Sequence, residues 1–285
     1  MIFSEEKYFI ANEIPNYHLF QWEHAESDFS MHLTYSIDNQ KATSIPSAPY
    51  AGFAWRGKIT PQVFEAGLTA LIESLKSQGL ESIEIRQAPD CFGSVPYAVF
   101  DHLDFQKHLE INHHIDLKNY QLHSLHKMQQ RRINKCLVNG FTFQQETLDQ
   151  AGSIHDFISK CRKQQGLVIN ITKEKFLRIT SQLPNTYALY SIFDPKGQRC
   201  AATVCISVDN KVVYNYLPAF DRSYASHSPL AFLLHQLNLT LMEQKVKYLD
   251  LGISSINGKA QGTLIDFKER MGGLRSDRPT FFKQL

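Results

Sequence analysis

The sequence contains few cysteines and no cysteine pairing motif. Its five cysteines are odd in number and scattered, and no Cys-x-x-Cys motif occurs. This pattern excludes a disulfide scaffold and indicates reduced thiols in a cytoplasmic protein. The adjacent His113 and His114 are also a poor metal signal, because neighbouring side chains on a strand point to opposite faces. We therefore expect no metal ion.

Long apolar runs and an excess of charge of one sign are absent as well. No stretch approaches the roughly 18 apolar residues that a membrane span needs. Glu5 and Glu6 interrupt the N-terminus, which argues against a secretory signal. The formal net charge of +2 gives no indication of a nucleic-acid coat or a membrane-surface protein. We expect a cytoplasmic protein without a transmembrane segment.

Helical and strand patterns alternate along the chain, which predicts an α/β fold with a mixed sheet. The predicted strands include Met31 to Asp38, Tyr187 to Phe193, Cys200 to Val208, Lys211 to Leu217, Tyr248 to Gly252 and Thr280 to Lys283. The predicted helices include those that begin at Pro61 and His123, and those over Ser153 to Gln165, Thr172 to Leu183, Pro229 to Gln244 and Gly262 to Met271. The candidate site residues lie in the last two predicted helices or in the elements next to them.

Two segments of the chain repeat the same order of signals. Thr60-Pro61 and Ser228-Pro229 each supply a cap and a first-turn proline for a helix that runs into a strand. Glu84 in the first strand aligns with Asp250 in the second. Any two helix–strand units share some of these features, but the matched cap, acid and order favour a duplication. We expect half-domains at 1–118 and 119–285.

The residues of the second half resemble a known superfamily. The resemblance covers about residues 123–285, in Tyr214-Asn215-Tyr216, Ala219 to Tyr224, Ser228-Pro229, Tyr248 to Gly252 and Phe267 to Gly273. These segments and their order are similar to GNAT-superfamily N-acyltransferases, in particular the tandem GNAT-like Fem-type and BioF2-like acetyltransferase families. The resemblance implies a tandem GNAT-like fold in a bacterial transferase. It also implies acyl-CoA (acetyl-CoA) as co-substrate and an amine as acceptor.

The turn before the helix at Pro229 is the candidate cofactor-binding segment. GNAT-type proteins have a glycine-rich turn there, whereas this chain has Arg222, Ser223, Tyr224, Ala225, Ser226, His227 and Ser228. The free N–H groups and the positive dipole of a helix N-terminus suit a phosphate or pyrophosphate. The arginine would add charge and the serine hydroxyls would add donors. Alternatively, Ser228 is only an N-cap and the other residues form a surface loop.

Asp250, Tyr214 and Tyr216 are the candidate catalytic residues. Asp250 interrupts an apolar strand, where partial burial would raise its pKa and favour accepting a proton from an attacking amine. Alternatively, it is a brace bonded to backbone N–H groups. Tyr214 and Tyr216 share one strand face and could line the substrate slot or pack in the core. Lys268 is expected to meet a phosphate or a developing oxyanion, or to be a solvated surface residue.

A basic stripe marks the helix that begins at His123. Lys127, Arg131 and Lys135 recur at four-residue spacing, Arg132 adds a further charge, and no acidic residue interrupts them. Such a stripe could bind tRNA, a lipid-linked phosphate or the nucleotide of coenzyme A, or could be a solvated face.

Three functions fit these observations. The first is transfer of an acyl group from acyl-CoA by direct attack of an amine in a V-shaped gap between two C-terminal strands, with the N-terminal half as a brace. The second is a Fem-type transferase that uses aminoacyl-tRNA on a cell-wall precursor. The third is a non-catalytic binding module of the same fold. The acceptor is a small molecule or a cell-wall precursor, and the oligomeric state is open, a homodimer included.

Overall fold

The computed structural model describes residues 1–45, 47–256 and 258–285. Its contacts divide the chain into two compact units. Unit 1 comprises residues 1–112, 255–259 and 276–285, and unit 2 comprises residues 113–254 and 260–275. The chain thus leaves unit 1 shortly before the expected 118/119 boundary, and its last residues return to that unit. Whether 1–118 and 119–285 arose by duplication stays a prediction.

Helices and strands alternate in both units. The α-helices are α1 (Glu6–Asn12), α2 (Pro61–Ser77), α3 (Tyr97–His102), α4 (Lys127–Val138), α5 (Ala151–Lys163), α6 (Lys173–Gln182), α7 (Pro229–Glu243) and α8 (Gly262–Arg270). The strands are β1 (Tyr17–Glu23), β2 (Ser30–Asp38), β3 (Lys41–Ser44), β4 (Ala54–Arg56), β5 (Ser82–Arg86), β6 (Gln106–Asp116), β7 (Thr142–Glu146), β8 (Tyr187–Phe193), β9 (Arg199–Ser207), β10 (Val212–Asn215), β11 (Ala219–Phe220), β12 (Tyr248–Ile253), β13 (Ser255–Ile256), β14 (Lys259–Ala260) and β15 (Leu274–Gln284).

In unit 1, strands β1, β2, β3, β5 and β15 lie side by side in that order. Helix α2 begins as its sequence predicts, because the Thr60 hydroxyl accepts a hydrogen bond from the Val63 N–H and Pro61 occupies the first turn. Its apolar face packs into an aromatic core in which the rings of Phe100 and Phe281 stack at 3.7 Å. The last strand of the chain thus completes the core of this unit.

In unit 2, strands β12, β10, β9, β8 and β7 lie side by side in that order. Strand β9 is buried from Cys200 to Ile206, as expected for a central strand whose two faces are both covered. Helix α7 packs on this sheet and shares a core with α4 through residues such as Phe232, Leu237 and Ile133. The long apolar helix is therefore anchored over the middle of the sheet.

The sheet of unit 2 opens beside its middle. Strand β10 pairs with β12 in parallel only from Val212 to Tyr214, and the last pair joins Tyr214 to Asp250. Beyond this point the chain stays with β9: the Tyr216 N–H donates to the Val204 carbonyl at 2.8 Å, and β11 pairs with β9. Strands β10 and β12 therefore diverge and leave a V-shaped gap.

Several element bounds differ from the expectations. Helix α4 begins at Lys127 and not at His123, because a short 3₁₀ turn precedes it and His126 occupies the N-cap. Strand β10 ends at Asn215 and not at Leu217, because its partner β12 diverges there. Helix α1 and strands β1 and β3 were not expected, and β15 is longer than the expected Thr280 to Lys283.

Candidate functional site

A cavity of about 370 Å³ occupies the gap between β10 and β12. Its apolar wall comes mainly from α7, α8 and β12, and its polar groups come from the end of β10, from α5 and from α8. The lining residues are Arg162, Gln165, Leu167, Tyr214, Asn215, Tyr216, Pro218, Ala219, Phe220, Leu230, Leu234, Leu251, Gly252, Ile253, Leu264, Phe267 and Lys268. An apolar cleft with a few convergent polar groups is typical of a small-molecule site.

Lys268 is the buried cation of this cavity. Its side chain is 6% exposed, and Nζ donates to the carbonyl oxygens of Gly252 and Ile253 at 2.8 and 2.9 Å. Consecutive carbonyls of a regular strand point in opposite directions, but Gly252 has a φ of +72°, which breaks this alternation and lets both face one ammonium group. Burial lowers the pKa of Lys268 to about 8, although the Asp250 carboxylate opposes the shift. The expectation of a solvated surface lysine is wrong.

Asp250 lies fully buried at the point where the strands part. Its Oδ1 accepts a hydrogen bond from the Gly252 N–H at 2.8 Å, and its charge acts on Lys268. It is not among the residues that line the cavity. This is the geometry of a brace for the turn at Gly252, and the general-base role stays a prediction.

Tyr214 and Tyr216 both line the cavity, with their ring centroids 6.0 Å apart. Tyr214 is the last β10 residue paired with β12, and Tyr216 lies just beyond the strand. Burial raises the pKa of Tyr216, and Arg162 opposes the shift only partly, so its phenol stays a hydrogen-bond donor at neutral pH. Between them, Asn215 is held by the Thr203 hydroxyl, which donates to its Oδ1 at 2.5 Å.

A second cavity of about 430 Å³ adjoins the first. Its lining residues are Arg132, Phe220, Ala225, Ser228, Leu230, Ala231, Thr263, Leu264 and Phe267, four of which also line the first cavity. It thus lies beside the start of α7 and carries one cation, Arg132. The two cavities share the lining residues Phe220, Leu230, Leu264 and Phe267, and together they are called the groove below.

The start of α7 differs from a standard cap. Ser228 occupies the N-cap position in the left-handed region, with a φ of +54°, and makes no side-chain cap. Its hydroxyl instead donates to the Ala225 carbonyl at 3.3 Å. Since Pro229 has no N–H, the Leu230 N–H is the first amide that the helix can offer to a ligand.

The loop before α7 uses most of its own N–H groups. Those of Ser223 and Tyr224 bond to Asp221, that of Ala225 bonds to Arg222, and those of His227 and Ser228 bond to Tyr224. Without glycine, the segment closes into a 3₁₀ turn over Arg222–Tyr224. It therefore offers few amides to a pyrophosphate.

The seven residues of the expected cradle do not come together at one cavity. Ala225 and Ser228 line the second cavity, whereas Arg222, Ser223, Tyr224, Ser226 and His227 line neither. The Tyr224 hydroxyl donates to the Asp194 carboxylate at 2.7 Å, which raises the pKa of Tyr224 to about 12. The carbonyl of Ser226 accepts a hydrogen bond from Lys135 at 2.9 Å. Their role in binding a cofactor stays a prediction.

Sequence reasoning did not single out Arg162, and it named Arg132 only as a further charge of the basic stripe on α4. Arg162 lines the first cavity and donates to the Pro218 carbonyl at 3.3 Å, a partner far away in the sequence. Arg132 follows Arg131, which is exposed and lines neither cavity. The charge pattern placed Arg132 in the basic stripe, but only the packing of α4 shows that Arg132, and not Arg131, lines a cavity.

Metal ligands do not cluster in the part of the chain that the structure describes, since no group of three or more His, Cys, Asp or Glu side chains could hold an ion there. In the same residues, none of the helices combines the length and apolar content that crossing a bilayer requires.

The comparisons with known proteins agree on one fold. The family model "Acetyltransferase (GNAT) domain" matches residues 126–268. FemX is similar with a TM-score of 0.73 at 12% identity, over 100% of this chain and 92% of that one. L-PGS from Bacillus licheniformis has a TM-score of 0.60 at 12% identity, over 94% and 84%. A tandem GNAT protein from the clavulanic acid biosynthesis pathway has a TM-score of 0.55 at 10% identity, over 95% and 84%. No curated protein matches in sequence.

Proposed function

Because the chain belongs to the acetyltransferase (GNAT) domain family, we propose that it transfers an acyl group from an acyl-CoA thioester to an amine. The groove formed by the two cavities carries this proposal. The second cavity has Arg132 and the start of α7. The first cavity has Lys268, Tyr214 and Tyr216. A ligand with a phosphate at one end and a reactive carbonyl at the other matches this order of groups.

The phosphate end depends on few contacts. Arg132 and the Leu230 N–H would hold one phosphate group at the start of α7. The apolar side chains of Phe220, Leu264 and Phe267, which line both cavities, would contact the chain that links the phosphate to the thioester. Since the loop before α7 uses most of its own amides, we expect binding weaker than in a glycine-rich cradle.

The reactive end supports direct transfer. The amine nitrogen forms a bond to the thioester carbonyl carbon, the carbon–sulfur bond breaks, the sulfur takes the proton of the Tyr216 phenol, and the amine proton returns to that phenol. Two of the three N–H groups of protonated Lys268 are held by carbonyls, so one is left to stabilise the developing oxyanion. The Tyr216 phenol, which burial keeps protonated, would donate to the leaving sulfur.

Asp250 takes a positioning role in this scheme. It holds the Gly252 turn, which aims two carbonyls at Lys268, and its charge favours the protonated lysine. The alternative is that Asp250 receives the amine proton, which would require a substrate or a water molecule to reach a fully buried carboxylate. If Asp250 acts by positioning, Asp250→Asn should shift the alkaline limb of the pH profile, because the carboxylate raises the pKa of Lys268.

The test of the donor is calorimetry with acetyl-CoA and longer acyl-CoAs. We expect Arg132→Gln to weaken binding by about tenfold or more, as for loss of a charge-assisted phosphate contact. Arg131→Gln is the matched control, because it removes the same charge one residue away from a side chain that lines neither cavity. Heat from no acyl-CoA, or an equal loss in both variants, would count against the proposed donor.

A second candidate function is transfer from aminoacyl-tRNA. The observation that favours it is the exposed basic face of α4, which carries Lys127 and Arg131, neither of which lines a cavity. A bulk tRNA mixture tests it with the same variants in reversed roles, since tRNA binding would be reduced by Arg131→Gln. If neither acyl-CoA nor tRNA binds, a non-catalytic binding module is favoured.

The acceptor is an amine on a small molecule or a cell-wall precursor. We also propose that the protein acts in a bacterial cytoplasm, because its cysteines Cys91, Cys136, Cys161, Cys200 and Cys205 are free and four of them are buried. Neither statement depends on the oligomeric state.

A further inference from the structure

An exposed apolar tip follows α5. Gly166 turns the chain with a φ of +70°, and the next two side chains, Leu167 and Val168, are 48% and 85% exposed. A partner that covers both side chains would remove this apolar surface from water.

The tip stands at the mouth of the first cavity. Leu167 lines the cavity together with Ile253 and Leu264, and all three are also exposed. Val168 does not line it, so a ligand inside the cavity would leave Val168 in water. Val168 needs an apolar environment larger than the cavity.

Cations surround the tip on the α5 side. Lys160, Arg162 and Lys163 lie in the last turn of α5. The backbone N–H of Arg222 donates to Gln164 Oε1 at 3.3 Å, which brings a fourth cation to the same end of the helix. The nearby acid Asp221 is already paired with Lys160 at 3.1 Å. The surface beside the tip is therefore positively charged, although the whole chain is nearly neutral.

We propose that the tip of Leu167 and Val168, with its cationic collar of Lys160, Lys163 and Arg222, docks the protein on an anionic lipid bilayer. The apolar pair enters the boundary between headgroups and acyl chains, and the collar contacts the lipid phosphates. Stable attachment of a peripheral protein generally needs both signals, and both meet here at one cavity mouth. Docking places this mouth against the membrane, so a lipid-borne amine could enter without crossing water.

The experiment is co-sedimentation of the full chain with vesicles of phosphatidylcholine, with and without phosphatidylglycerol. The test variant is Leu167→Ser/Val168→Ser. The chain offers a closely matched control in Leu137→Ser/Val138→Ser, an adjacent Leu–Val pair that is 48% and 87% exposed and lines neither cavity. We expect the test variant to bind anionic vesicles about tenfold more weakly and the control to change by less than about twofold. Added salt should weaken the wild-type binding.

Several results would overturn the proposal. These are no binding of the wild type to anionic vesicles, equal binding to vesicles without phosphatidylglycerol, or an equal loss in both double variants. A raised KM for a soluble acceptor without any vesicle binding would assign the tip to substrate contact. Vesicle binding needs no acyl donor, so failure here is distinguishable from failure of the proposed transferase function. Circular dichroism of each variant separates lost docking from lost folding.

Discussion

Raising the pH above 8 should stabilise this protein through Lys268. The buried ammonium group has a pKa of about 8 in the folded chain and an ordinary value of 10.5. Between these values the unfolded chain binds the proton and the folded chain does not. The free energy of unfolding therefore rises with pH in this window, and below pH 8 both states carry the proton and the contribution is flat.

The size of the effect follows from the shift. One pKa unit corresponds to about 1.4 kcal/mol, so this lysine should add up to about 3 kcal/mol between pH 8 and pH 10.5. Two hydrogen bonds to carbonyls remain in the neutral form, because a neutral amine still has two N–H groups. Deprotonation therefore removes the buried charge without leaving these acceptors unpaired.

The assay is chemical denaturation across this pH range for the wild type and Lys268→Met. Subtracting the free energies of unfolding of the two proteins cancels the other groups that titrate in this range. The wild type should gain stability relative to Lys268→Met as the pH rises. Lys163→Met is the control, because this exposed lysine has no comparable burial. Parallel curves for the wild type and Lys268→Met would show that Lys268 is not a buried cation of lowered pKa.

Three further predictions concern the surroundings of the groove. Asp250→Asn should move the alkaline limb of the activity profile to lower pH, because the carboxylate raises the pKa of Lys268; full activity with an unshifted profile would exclude both roles of Asp250. Gly252→Ala should cost about 1–3 kcal/mol in denaturation, because a Cβ there would combine a positive φ with a 3.1 Å approach to the Tyr214 ring; unchanged stability would contradict the strained turn. Asp221→Asn should destabilise the protein at neutral pH by about 2 kcal/mol, because the Ser223 N–H lowers the pKa of Asp221 from 3.8 to about 2. That contribution is present above pH 3.8 and lost as the pH falls towards 2, so an acid unfolding curve that the variant leaves unchanged would refute it.

Local signals in the sequence were enough to predict much of the fold. The start of α2 is encoded by a capping threonine and a following proline, and α7 begins at the proline that its sequence predicts, although Ser228 makes no side-chain cap. In both helices the signal lies within the first turn, so no distant residue is needed to predict where the helix begins. Strand β1 could not be found in this way, because its half-exposed residues show no clean apolar alternation. The end of β10 was misplaced because it depends on where a partner strand diverges.

The site was harder to predict than the fold. Tyr214 and Tyr216 could be predicted because they lie at the end of a strand that the sequence pattern shows clearly. Lys268 looks like a surface residue of an amphipathic helix, and its burial depends on a glycine turn elsewhere in the sequence. Arg131 and Arg132 are neighbours and both belong to the predicted basic stripe, whereas the packing of α4 turns only Arg132 to the cavity. The small net charge of the whole chain likewise gives no sign of the cations that cluster at the end of α5.

The parting of β10 and β12 has a consequence for the backbone groups at the open end of the sheet. A gap inside a sheet leaves backbone groups without a neighbouring strand, and such edges attract strands of other molecules. Here the side chain of Lys268 takes the place of the missing strand, because it binds two successive carbonyls at the open end of β12. A single side chain thus satisfies two backbone carbonyls that the gap would otherwise leave open to a strand of another molecule.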